Sequence, residues 1–163
     1  MFTQQTKEQG MGIVEAIIVI SIITVSFASL MGAAVFFFRA GLYAADQVQA
    51  IFLLDESAEA VRFLRDESFT TNIAPFVGTG PQHLDVDATG WTITATSTPI
   101  DNIYTRTIEI TEVYRKDSDD TIVSVAAADP KTLDPGTVQL TSTVTWKSNS
   151  ISAVTYVADI YEN

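Results

Sequence analysis

The chain has 163 residues, 47% of them apolar, and no cysteine, which excludes a disulfide framework and leaves room for one small domain outside any membrane segment. Its formal net charge is −11. Because Lys7, Glu8 and Glu15 precede Arg39, the part from Arg39 onward holds 18 acids against 8 bases, a net −10. Such a surface repels phosphate backbones, so no direct nucleic-acid binding is expected of it.

Residues 1–10 read as a short polar leader, with Phe2 the only apolar residue after the initiator and without the strongly basic start of a secretory signal. Ala16 to Phe38 then gives 23 residues with neither charge nor proline, enough to cross the hydrocarbon core as a helix. At its head stands Glu15, a carboxylate with apolar residues on both sides, which is costly unless neutralised. Cutting after Gly10 would place a new amino group on Met11, four residues before Glu15 and on the same helical face.

A polar leader ending in Gly10, an apolar Met11, Glu15 five places into the new chain and a long apolar helix resemble the processing signature of type IV prepilins. In letters the match is looser, since the family usually has Phe followed by Thr-Leu-Ile-Glu where this chain has Met11, Gly12, Ile13, Val14 and Glu15. The resemblance implies cleavage by a prepilin peptidase and methyltransferase between Gly10 and Met11, N-methylation of Met11, and assembly through Glu15 meeting a neighbour's amino terminus. It also implies a cytoplasmic leader and an exterior C-terminal domain. Lys7 before the span and Arg39 after it do not fix orientation by charge alone. Two other readings of the same residues stay open: an uncleaved signal anchor with Glu15 near the positive helix terminus, and a secretory signal cut among Ala28 to Ala34.

Inside the span, Ser21, Thr24, Ser26 and Ser29 can bond back to helix carbonyls, and Ala28 and Gly32 form a small-xxx-small pair. Residues 11–38 are thus expected to be the membrane or filament-core half of one helix, and 39–69 its amphipathic half. In the second half Ala44, Val48, Ile51, Leu54, Ala58, Val61 and Leu64 form a stripe expected to pack on a sheet, while Arg62 can pair with Glu59 or Asp66. Continuous from Gly12 to Phe69, that helix would be about 85 Å long at about 1.5 Å per residue. Gly41 is the expected place for a bend. The run from Glu59 to Phe69 also resembles the helix end of minor pilin-like proteins.

Residues 70–163 read as an antiparallel domain. Pro75, Gly78, Gly80 and Pro81 mark a loop, with a short strand at Leu84 to Val86. Five strands follow: Trp91 to Thr96, Ile103 to Val113, Thr121 to Val125, Thr137 to Lys147 and Ile151 to Tyr161. In the fourth, Val138, Leu140, Val144 and Trp146 share one face. Phase in the second breaks near Thr111, which predicts a bulge. The fifth is apolar on both faces and predicts cover on both, which in a filament a neighbouring subunit could provide. Ser148, Asn149 and Ser150 are the expected hairpin turn.

Chemistry is sparse. His83 is the sole histidine, and it lies in the Gly/Pro loop. Asp117, Asp119 and Asp120 flank Ser118 between strands two and three; they could offer oxygen ligands to calcium or form a solvated acidic hairpin, without the Gly and distal Glu of an EF-hand. No other cofactor is expected. Trp91, Tyr104, Trp146, Tyr156 and Tyr161 could form an aromatic platform, although core packing explains Trp146 and Tyr156 better.

The expected fold class is therefore α+β, a long N-terminal helix packed on an antiparallel sheet in the type IV pilin manner. The expected function is structural and not enzymatic: a minor pilin or pseudopilin of a type IV pilus-like or type II secretion-like filament. Its partners would be other pilin subunits, the membrane and the assembly machinery of the pilus or secretion system, with a place in the cytoplasmic membrane before assembly and in a surface filament after it. The alternative is a single-pass, membrane-anchored exterior binding domain that does not polymerise.

Overall fold

A computed structural model describes residues 12–88 and 90–160. Helix α1 runs over Ile13–Asn72, and a short 3-10 helix, Ala74–Phe76, follows it with Pro75 in its first turn. The strands are β1 (His83–Asp87), β2 (Gly90–Thr94), β3 (Tyr104–Lys116), β4 (Ile122–Val123), β5 (Lys131–Trp146) and β6 (Asn149–Ala158). All pair antiparallel, as a two-stranded sheet β1-β2 and a four-stranded sheet in the order β4-β3-β5-β6. One long apolar N-terminal helix followed by antiparallel sheets is an α+β layout. The single five-stranded run expected from the sequence is thus two sheets, with the Leu84 segment grown into a full partner for the Trp91 strand.

The chain divides after Ala45 into two compact units. In the first, α1 is long and apolar enough to cross a membrane, and every described residue from Gly12 to Ala45 is exposed except the half-buried Ala16. Ile13 is 80% exposed and Phe37 71%, so this surface finds no cover within its own unit. The hydroxyls of Ser21, Thr24, Ser26 and Ser29 each donate to the carbonyl four residues back, at 2.7 to 2.9 Å. Those bonds remove the polar cost of four side chains in an apolar medium. Gly41 lies within regular helix; the break in helical dihedrals falls at Ser68, whose φ of −171° is extended backbone.

In the second unit, α1 from Asp46 packs on one face of the larger sheet. Ala60, Val61 and Leu64 meet Ile108 and Ile110 of β3, Val138 and Leu140 of β5 and Val157 of β6. Nearer Asp46, Ala50, Leu53 and Leu54 meet Tyr104, Val144 and Trp146. Each such large apolar side chain contributes about 1.5 to 3 kcal/mol by leaving water. The buried face of the helix is centred on Ala50, Leu53, Ser57, Ala60, Val61 and Leu64, which corrects the expected stripe: Val48 is 52% and Ile51 41% exposed. Ser57 fits this face because its hydroxyl donates to the Leu53 carbonyl at 2.7 Å. Arg62 does pair with Glu59.

Along β5 the expected alternation holds, with Val138, Leu140, Ser142, Val144 and Trp146 buried and Gln139, Thr141, Thr143 and Thr145 facing away. The strand begins earlier than Thr137, at Lys131. Its extension is possible because the register with β3 shifts between Glu112 and Val113, where Pro135, Gly136 and Thr137 have no partner on β3. The irregularity expected near Thr111 is therefore carried by extra residues on the opposite strand, where a proline costs no ladder bond. Asp134 holds the bulge: its Oδ1 accepts from the Gly136 N–H at 3.1 Å and its Oδ2 from Arg115 Nε at 2.6 Å.

The β5-β6 connection is a two-residue turn at Lys147 and Ser148, since Trp146 pairs with Asn149. Lys147 has a φ of +52°, as turn geometry there requires. The turn thus begins one residue before the expected Ser148, and Asn149 and Ser150 belong to β6. β6 ends at Ala158 and is an edge strand covered on one face only: Val157 is buried, while Val154 is 57% and Tyr156 47% exposed. Among the described residues only one face of β6 is covered, and Tyr156 does not pack in the core.

Candidate functional site

The first candidate site is the head of α1. Gly12 starts the helix, its carbonyl accepting from the N–H groups of Glu15 and Ala16 at 2.9 and 3.2 Å. Glu15 is exposed in the first turn, where unsatisfied N–H groups favour an anion. Among the described residues its carboxylate meets no donor and no cation. Gly10 and Met11 lie outside the described residues. A carboxylate is therefore presented at the top of an uncovered apolar helix, and anything that neutralises it comes from outside the described part of the chain.

At the start of the second unit, Asp46 is gripped twice. Lys147 Nζ pairs with Asp46 Oδ2 at 2.5 Å, and the Tyr104 hydroxyl donates to the Asp46 carbonyl at 3.3 Å. The hydrogen bond to Asp46 raises the Lys147 ammonium above its ordinary pKa, while burial first and Asp46 second raise the Tyr104 phenol. These contacts fasten the first turn of the packed helix to the end of the sheet.

The third feature is a cleft of about 580 Å³ within the second unit, between α1 and the β1-β2 hairpin. At its floor Arg106 is only 6% exposed, on the inward face of β3 in phase with Tyr104, Ile108 and Ile110. Its Nη1 donates to Glu56 Oε2 at 2.5 Å, its Nη2 to the Leu84 carbonyl at 3.4 Å, and its guanidinium carbon lies 5.1 Å from the centre of the Trp91 ring. The Nε is buried without a partner among the described residues. A buried cation needs compensation, and here one carboxylate and one aromatic face provide it. His83 orders the backbone behind, with Nδ1 2.9 Å from the Arg106 carbonyl oxygen. One signal of this site lies in the sequence, a charged residue, Arg106, at an inward position of a strand.

The acidic turn is occupied by internal bonds. Asp119 Oδ1 accepts from the Thr121 N–H at 3.1 Å and hydroxyl at 2.7 Å, and these bonds hold its carboxyl below the ordinary range. Asp117 accepts from the Thr132 hydroxyl at 2.8 Å, while Asp120 offers its carbonyl to Arg115 at 3.0 Å. Asp117, Asp119 and Asp120 are not brought around one point, and no group of three or more His, Cys, Asp or Glu able to hold a metal occurs among the described residues. The five aromatics named from sequence are likewise not one platform. Tyr104 and Trp146 form a pair 6.2 Å apart, Trp91 lies under Arg106, and Tyr161 is outside the described residues.

Comparison with family models, with curated proteins and with solved structures found no match to this chain.

Proposed function

We propose that the chain is a type IV pilin-like structural subunit, a minor pilin or a pseudopilin, of a pilus-like or type II secretion-like filament. The observation that carries this reading is the pairing of two features on one helix: an exposed apolar surface from Ile17 to Phe38, and at its head a carboxylate, Glu15, that meets no partner among the described residues. A helix apolar all round requires lipid or other helices as its surroundings. In the membrane, a charged group at depth costs about 2.5 to 3.5 kcal/mol unless it is paired. After cleavage between Gly10 and Met11 and methylation of Met11, the waiting subunit keeps its helix in the cytoplasmic membrane with the sheet outside. On entering the filament, apolar burial drives packing, and Glu15 meets a neighbour's amino terminus and sets register. The role is assembly and not catalysis.

The test is Glu15→Gln in the native cell. Loss of the chain from the filament fraction, with its membrane level unchanged, is the expected result; wild-type incorporation of the variant overturns the proposal. One observation favours a second reading, a membrane-anchored exterior binding domain that stays monomeric: the cleft beside Arg106 is a formed concavity that the filament account does not use.

A further inference from the structure

We infer that the cleft beside Arg106 is a binding site for a neutral saccharide. Its volume of about 580 Å³ lies in the range of small-ligand pockets. Its walls divide into an apolar part and a polar part, and the polar part mixes donors with acceptors. Phe52, 63% exposed, and Val86, 58% exposed, both line it and form its apolar part. The negative face of an aromatic ring attracts the polarised C–H groups on one side of a pyranose.

The polar groups match hydroxyls better than ions. Asp85 uses Oδ1 to accept from the Val86 N–H at 2.9 Å, which leaves Oδ2 as an acceptor. Glu56 spends Oε2 on Arg106, and its side chain is 47% exposed. Gln49 carries both a donor and an acceptor at the rim. Hydroxyl groups donate and accept at once, so such a mixed set suits a polyol. A ligand with a phosphate or carboxylate would face two carboxylates, Glu56 and Asp85, against one guanidinium already paired. A cationic ligand would approach that guanidinium, which is fixed in the floor. A neutral sugar avoids both penalties. None of these side chains belongs to the Ile13–Ala45 segment, so the inference is independent of whether the chain polymerises.

The test uses the full chain in phospholipid nanodiscs, free of sugar-based detergent. Saturation-transfer NMR is run with the methyl glycosides of glucose, galactose, mannose, N-acetylglucosamine and N-acetylgalactosamine at millimolar concentration. At least one is expected to show transfer, strongest at the ring protons of one face. In Phe52→Ala its dissociation constant should rise at least tenfold, and in Asp85→Asn about threefold. Both residues are exposed, so unchanged melting of the variants shows that the loss is local. No transfer from any of the five glycosides overturns the inference. So does transfer undiminished in Phe52→Ala, or preferential capture at the cleft of sialic acid or of a basic peptide.

Discussion

From Ile13 to Ala45 helix α1 buries no side chain, whereas from Asp46 to Asn72 the same helix buries Ala50, Leu53, Leu54, Ser57, Ala60, Val61, Leu64 and Phe69. Up to the break at Ser68 both stretches are regular helix, and side-chain distribution separates them. Between Glu15 and Arg39 the first is apolar around its whole circumference, and the hydroxyls of Ser21, Thr24, Ser26 and Ser29 donate to its own carbonyls. The second places Asp55, Glu56, Glu59, Arg62 and Asp66 opposite an apolar face and so can lie between a sheet and water. The second stretch is covered by the sheet of its own unit, while the first is long and apolar enough to cross a membrane.

The largest effect that separates the halves is solubility. A fragment beginning at Asp46 should remain folded in plain buffer, because its core clusters lie wholly within it. The full chain should require lipid or detergent, as sedimentation in matched buffers will show. A fragment that precipitates would mean that the second unit depends on the first.

Core truncation comes next. Trp146 is 3% exposed and Ile108 1%, so Trp146→Ala should cost about 3 to 5 kcal/mol and Ile108→Ala about 2 to 5 kcal/mol in denaturant melts of the full chain in nanodiscs. Ile18, 54% exposed in the first unit, provides the contrast: Ile18→Ala should leave that melt in place. An equal shift from both positions would erase the distinction drawn between the halves.

A smaller effect is expected at the cleft floor. Glu56→Gln removes the carboxylate opposite a guanidinium that is only 6% exposed, and a charge-assisted bond of this kind is worth about 1.5 to 3 kcal/mol. Since Glu56 is itself half exposed, the lower end is the expectation. The same denaturant melts measure it.

The smallest effect is the response to alkali. Lys147 and Tyr104 both have folded pKa values raised above their ordinary ones, by the bond to Asp46 in the first case and by burial in the second. A raised pKa gives stability that is complete below the unfolded value, about 10 for both groups, and is lost as pH rises through the folded value. Melting temperature should therefore fall above about pH 10, and the fall should shrink in Lys147→Met.

Much of this organisation is legible in the sequence because it rests on local periodicity. The apolar run announces a helix long and apolar enough to cross a membrane, Val138 to Trp146 announces a half-buried strand by alternation, and the phase break near Thr111 announces a bulge. What the sequence did not settle is tertiary. The helix face turned toward the sheet by about one residue, leaving Val48 and Ile51 in water, because Ala50, Ser57 and Ala60 are small enough to let the helix approach the strands. A pattern of large apolar residues does not register small ones at a close contact. The join at Pro135 and Gly136, which lets β5 begin at Lys131, reads as a loop until β3 is present as a partner. Arg106 is hidden for a similar reason: a charge among inward residues makes sense only once Glu56 and Trp91, 50 and 15 positions away, are brought beside it.

Gly10, Met11 and Glu15 carry the central claim, and the mass of the mature protein tests it most directly. Protein recovered from native membranes should lack Met1 to Gly10 and carry one added methyl group at Met11. Recovery of the chain with its leader attached, in cells whose filaments are intact, would contradict the account.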